Sequence, residues 1–203
     1  MEFNFDKAIL HLSKDSGLKL LIEHITLPKR NPSKDVYSGL IRSIVSQQLS
    51  VKAASTIHGR FLNLFEDGYP NAIALQNLDS TQLRAVGLSG QKTNYVKNVA
   101  QFFIENDLFE KDWTAVSDHE IIVLLTQIKG VGKWTVQMIL MFVLSREDVF
   151  PVLDLGVQQG IKEVYGLTEE KKELHAKMEE IAEAWKPFRS IACLYLWAAK
   201  DIK

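Results

Sequence analysis

Thiols are almost missing from this chain: its 203 residues include one cysteine, Cys193. A single cysteine excludes an internal disulfide and any four-cysteine zinc or iron–sulfur site. It lies in the apolar run IACLYLW, where a buried, inert thiol is expected. Long hydrophobic runs are missing too; none approaches the ~20 residues that cross a bilayer as a helix. The N-terminal MEFNFDKAILHLSKD carries acidic residues and lacks the basic-then-apolar order of a signal peptide. A soluble, cytoplasmic protein of a reducing compartment is the expectation. Neither sign of charge dominates, since 24 Lys and Arg face 25 Asp and Glu. A nucleic-acid partner would therefore have to be met by a locally basic face. The five histidines, His11, His24, His58, His119 and His175, show no metal-ligand spacing. Gly/Ser linkers, repeats, low-complexity tracts and period-two runs are also lacking.

What is present is helical periodicity. In VYSGLIRSIVSQQLSV the residues Val36, Leu40, Ile41, Ile44, Val45 and Leu49 recur at three and four, one stripe of a buried helix. The segments VKAASTIHGRFLNLF, KTNYVKNVAQFFIEND, DHEIIVLLTQI, TVQMILMFVLS and EEKKELHAKMEEIAEAW read the same way. Ser117-Asp118 opens one helix and Thr168 with Glu169 and Glu170 opens another, while Gly68-Tyr69-Pro70 and the stretch Gly87 to Gly90 close others. The charges of EEKKELHAKMEE form a solvated helix face. An all-α fold is predicted.

Two features stand outside this pattern. IKGVGKWTVQMILMF places Gly130-Val131-Gly132 between two apolar helices, Ile121–Gln127 and Lys133–Leu144. Gly130 suits the left-handed end of the first helix, and Gly132 lets a surface approach the start of the second. The free N–H groups of that second helix can hold an anion such as a backbone phosphate. The same turn also reads as tight packing alone. Further on, DVFPVLDLGVQQG sets Asp154 just before an apolar helical stretch. By itself such an aspartate is an N-cap.

Together these segments, with IVSQQLSVKAA (44–54) and WKPFRSIACLYLW (185–197), occur in an order that resembles the helix–hairpin–helix (HhH-GPD) DNA glycosylases. The branch they are most similar to is that of 3-methyladenine DNA glycosylase II. The resemblance implies one glycosylase domain over 1–203 with two helical lobes flanking a cleft. Residues 35–145 would form the central lobe with the hairpin, and 1–34 plus 146–203 the other. It implies a monofunctional enzyme that flips alkylated purines, 3-methyladenine or 7-methylguanine, out of double-stranded DNA and hydrolyses the N-glycosidic bond. Other damaged purines (deaminated or etheno adducts) and a non-catalytic DNA-binding module stand as alternatives.

By the same resemblance Asp154 is the catalytic carboxylate, a role compatible with capping; its rival Asp148 precedes the Val-Phe-Pro turn and reads as a helix-terminal or turn residue. Trp134 stands where strand-nicking relatives carry a Schiff-base lysine, so no lyase activity is expected. Trp134, Met138, Trp197 and Tyr37 are candidates for the base pocket, with Tyr195 a weaker one. An electron-rich ring would favour a cationic base by about 0.5–2 kcal/mol; core anchoring is the competing reading for both tryptophans. Gly130, Val131, Gly132, Lys133 and Thr135 are expected against the DNA backbone. Gln47, Gln48 and Leu49, or Leu88 in a second loop, are candidates to plug the gap left by a flipped base. Leu88 is read as exposed between two glycines, or else as a hydrophobic staple. Lys52, Lys92, Lys133 and Arg189 are candidate phosphate contacts. No metal or cofactor is expected beyond a monovalent cation on the hairpin carbonyls of Ile128 and Val131. The chain is expected to work as a monomer.

Overall fold

The computed structural model describes residues 3–28 and 33–199. Among these residues there are twelve α-helices, one 3-10 turn and no strand, as the periodicity predicts. No helix among them is long and apolar enough to cross a membrane. The chain divides into two compact units, Ser33–Ile139 and Met1–Pro32 with Leu140–Lys203.

The unit Ser33–Ile139 is built on α3 (Val36–Ser46), α4 (Val51–Leu62), α5 (Ala72–Asn77), α6 (Ser80–Ala85), α7 (Gly90–Glu105), α8 (Asp118–Leu125) and the start of α9 (Lys133–Phe142). Most of these helices start at a residue with a short polar side chain. Asp35, Ser50, Asn71, Ser89 and Ser117 each accept a hydrogen bond from a first-turn amide, and each such cap is worth about 1 kcal/mol. Helix α3 packs against α7 and α4, and α5 also packs on α7. The predicted stripe Val36, Leu40, Ile41, Ile44 and Val45 is buried in that seam. The stripe stops short of its predicted end, however. Gln47 leaves the helix with ψ 134°, Gln48 is left-handed with φ 56°, and Ser50 caps α4. Leu49 is therefore off the helix and 36% exposed.

The other unit contains α1 (Phe5–Leu12), α2 (Ser16–His24), α10 (Leu155–Tyr165), α11 (Lys171–Glu183) and α12 (Arg189–Ala199). Helix α12 is buried on all sides from Ser190 to Leu196 and packs on α10 and α2. Asp15, the cap of α2, also accepts from the Tyr165 hydroxyl (2.6 Å) and from Trp185 Nε1 (3.3 Å), tying α2 to α10 and to the entry of α12. Helix α11 begins at Lys171, later than the predicted Thr168, because Glu170 is still extended at φ −131° and ψ 155°. Burial pushes the Cys193 thiol up, with the charge of Asp154 adding to it, so the lone cysteine is inert.

Candidate functional site

The hairpin forms as predicted between α8 and α9. Gly130 has φ 105°, and a Cβ placed on it would lie 2.2 Å from Cγ of the Tyr95 ring, so glycine is required twice over. The Ile128 carbonyl accepts from the Val131 amide (3.0 Å), and the Lys129 carbonyl accepts from Asn98 Nδ2 (3.0 Å). Tyr95 and Asn98 both stand on α7, and neither was evident from the sequence. A Cβ on Gly132 would meet nothing within 4 Å, which leaves open the approach to the first turn of α9. Lys133 and Trp134 are exposed there, Trp134 by 40%. Thr135 differs from expectation: it is 3% exposed, because at the third position of α9 its side chain turns into the unit. Only its backbone can face a ligand. Val131 is buried likewise and Met138 is half-buried.

The other site candidates of this unit separate into two groups. Gln48 and Leu49 sit exposed at the α3–α4 turn with Val51, which is 89% exposed. Tyr37 is no pocket residue. It is buried among Tyr69, Phe103 and Phe109, with its hydroxyl donating to the Pro70 carbonyl (2.7 Å). Leu88 is no exposed plug either. It is 3% exposed, because left-handed Gly87 (φ 108°) ends α6 and turns Leu88 inward, its amide donating to the Leu83 carbonyl. Lys92 does not point to solution; its Nζ donates to the carbonyls of Val45 (2.8 Å) and Gln47 (2.6 Å). Lys52 is exposed.

In the second unit Asp154 caps α10. Its Oδ1 accepts from the Val157 amide (2.8 Å) and from the indole Nε1 of Trp197 (2.8 Å). Each such bond to a charged acceptor contributes about 1.5–3 kcal/mol. The motif around it explains why Trp197 comes so near. A Cβ on Gly156 would stand 2.7 Å from Trp197 Cδ1 and 2.8 Å from its Nε1. One turn later, a Cβ on Gly160 would stand 2.8 Å from the Leu196 carbonyl. Two glycines on one face of α10 thus let α12 close on it and deliver the indole to the carboxylate. Trp197 is half-buried, with its ring tilted against Phe142 at 5.7 Å.

The turn before Asp154 is held from three directions. The Asp154 amide donates to the Pro151 carbonyl (2.8 Å), and Gln158 Nε2 donates to the Val152 carbonyl (2.9 Å) while also meeting His175 Nε2 (3.1 Å). Ser190 Oγ accepts from the Val149 amide (2.9 Å) and donates to the Arg146 carbonyl (2.6 Å). Asp148 is bound bidentately by Arg189, at 2.6 and 2.9 Å. Arg189 is therefore engaged within the fold and is not free for phosphate, and Asp148 is no second reacting carboxylate. Tyr195 is buried. Among the described residues no group of three or more His, Cys, Asp or Glu is placed to hold a metal ion.

A Gly-x-Gly hairpin with an open helix start, in an all-helical chain that caps a later helix with a doubly bonded aspartate, defines a helix–hairpin–helix protein. Residues 41–187 match the HhH-GPD superfamily base excision DNA repair protein family. The chain is 36% identical over 203 residues to DNA-3-methyladenine glycosylase 1 of Schizosaccharomyces pombe, covering 97% of this chain and 88% of that one. It is similar to the structure of the S. pombe 3-methyladenine DNA glycosylase in complex with abasic DNA, with TM-score 0.85 and 35% identity over 96% of this chain and 97% of the other. It is also similar to a DNA-3-methyladenine glycosidase of Bacillus halodurans, with TM-score 0.78 and 35% identity over 97% and 89% of the two chains. The chain belongs to the HhH-GPD superfamily of base excision DNA repair proteins.

Proposed function

We propose that this protein is a DNA-3-methyladenine glycosylase that removes alkylated purines, 3-methyladenine and 7-methylguanine, from double-stranded DNA and leaves an abasic site. The observation that carries the reading is Asp154: a carboxylate fixed by a backbone amide and an indole N–H, in a chain whose hairpin is built to grip a phosphate backbone. Cleavage of the bond between C1′ and the base nitrogen builds positive charge on the deoxyribose, and a fixed carboxylate stabilises that charge or orients the attacking water. Water forms the new C1′–O bond and loses a proton, while the bonding pair leaves with the base. An N-alkylated purine is already cationic and departs neutral, so no general acid is needed. That fits a site in which Asp148 is held by Arg189.

Gly130, Val131, Gly132, Lys133 and the Thr135 backbone would hold phosphate, a contact that carries no sequence information. Should a monovalent cation bind there, the carbonyls of Ile128 and Val131 are the oxygens suited to it. Trp134, exposed at the start of α9, is a ring of the kind that favours a cationic base, with Met138 one turn on a softer side chain. In the other unit Trp197 is a ring of the same kind beside Asp154. Trp134 has no amine to form a Schiff base, so hydrolysis without strand cleavage follows.

The test is release of 7-methylguanine from a duplex carrying one such lesion, with Asp154→Asn in parallel. Asparagine keeps most of the capping ability and removes the charge. Release by the wild type, a loss of at least about 10²-fold in the variant with DNA binding retained, and strand breaks only after alkali are expected. Unaltered release by Asp154→Asn would remove the aspartate from the chemistry. Breaks before alkali would overturn the reading of Trp134. Release confined to deaminated or etheno purines would move the substrate class.

A further inference from the structure

We infer that Lys92 is a positioning residue for base extrusion: from α7 it fixes the Gln47–Ser50 turn that presents Gln48 and Leu49 to the gap in the base stack. The inference rests on the reading that this chain flips bases out of duplex DNA. Lys92 Nζ donates to the carbonyls of Val45 and Gln47, residues 47 and 45 positions earlier in the chain. The Val45 carbonyl belongs to the last turn of α3 and Gln47 is the residue that ends it; neither carbonyl has a helical partner there, and a cation also suits the negative end of the helix. Gln47 O lies where the backbone has already turned extended. The next residue, Gln48, is a non-glycine in the left-handed region at φ 56°. That conformation costs about 1–2 kcal/mol and persists where surrounding contacts over-determine it. Two charge-assisted bonds on the preceding carbonyls are such contacts.

The tip beyond them presents apolar atoms to water. Leu49 is 36% exposed and Val51 is 89% exposed, side chains that add little to the core of their unit. The same helix α7 also holds the hairpin. Tyr95 lies against Gly130, and Asn98 Nδ2 donates to the Lys129 carbonyl. Lys92, Tyr95 and Asn98 follow at three-residue steps, so about 9 Å of stiff helix sets the spacing between the two loops. A tip mounted on the element that positions the phosphate-gripping hairpin enters the duplex at a fixed distance from the gripped backbone. A tip released from Lys92 would lose that register while the hairpin still bound DNA. Burial also pulls the Lys92 ammonium below the usual lysine range, in keeping with a side chain committed to carbonyls within the fold.

The experiment uses Lys92→Met, which keeps the alkyl stem without the donors, and Lys92→Arg, which keeps a cationic donor. Both are assayed on 7-methylguanine in a matched duplex and on the same base as a single-nucleotide bulge, where extrusion is already done. Lys92→Met should lower release from the matched duplex about tenfold or more, leave release from the bulge near the wild-type rate, and leave affinity for undamaged duplex unchanged. Lys92→Arg should recover part of the loss. A 2-aminopurine beside the lesion should brighten when wild type binds, and do so less with Lys92→Met. Equal loss on both substrates would reduce Lys92 to a stabiliser of the fold, and an unchanged rate on the matched duplex would equally overturn the inference. If wild type released no alkylated base yet brightened 2-aminopurine in a Lys92-dependent way, the lesion assignment would fail and the role of Lys92 would stand.

Discussion

Replacing Gly156 with alanine tests the packing that brings Trp197 to Asp154. Gly156 lies in the first turn of α10 and has no positive φ, so the backbone accepts alanine, and helix propensity alone favours it by about 0.8–1 kcal/mol. Against that gain, the new Cβ would sit 2.7 Å from Trp197 Cδ1 and 2.8 Å from Nε1. The indole must move, because the carbonyl of Leu196 is itself against Gly160 and blocks a shift of α12. Overpacking of this kind costs about 1–3 kcal/mol. Loss of the Trp197 Nε1–Asp154 Oδ1 bond (2.8 Å) adds about 1.5–3 kcal/mol. The net expectation is destabilisation by about 2–4 kcal/mol, a fall in Tm of roughly 4–15 °C for a chain of this size. Base release should fall with it. Thermal unfolding followed by circular dichroism, with 7-methylguanine release on the same samples, measures both. Trp197→Phe removes the N–H donor together with the five-membered ring that the new Cβ would strike. Because both changes act on one contact, the double variant should lose less than the sum of the two. A Gly156→Ala protein as stable and as active as wild type, or strict additivity with Trp197→Phe, would refute this account of the motif.

Gly130→Ala should cost about 1–2 kcal/mol for its left-handed backbone and about 1–3 kcal/mol more for the Cβ pressed on the Tyr95 ring. It should also weaken binding to undamaged duplex; adding Tyr95→Ala should recover only the steric part of the stability, read from urea midpoints. His58 supplies a pH dependence. Burial, and then the charge of Arg42, hold its imidazole below the ordinary 6.5. The unfolded chain therefore takes up this proton first as the pH falls. Stability is fully present above pH 6.5 and is lost as the pH drops from there through the lower folded value. His58→Gln should flatten that slope in urea titrations between pH 7 and 5, and parallel curves would refute it.

The sequence by itself determined the helical class, because three-and-four periodicity and a cap such as Ser117 are local rules. It also marked the Gly130 turn and Asp154, each carried by residues adjacent in the chain, and their order supplied the family. Tertiary structure decided what each side chain could reach. Tyr37 and Leu88, both plausible at a surface, are core residues, because the Pro70 carbonyl and the left-handed Gly87 direct them inward. Lys92 and Arg189 are charges that a sequence offers equally to phosphate or to the fold. Partners 45 and 41 residues away claim them, and no local pattern records such a distance. Gly156 and Gly160 are visible in the sequence, but their purpose is not. A missing Cβ means nothing until α12 lies against it and carries the Trp197 indole to the carboxylate.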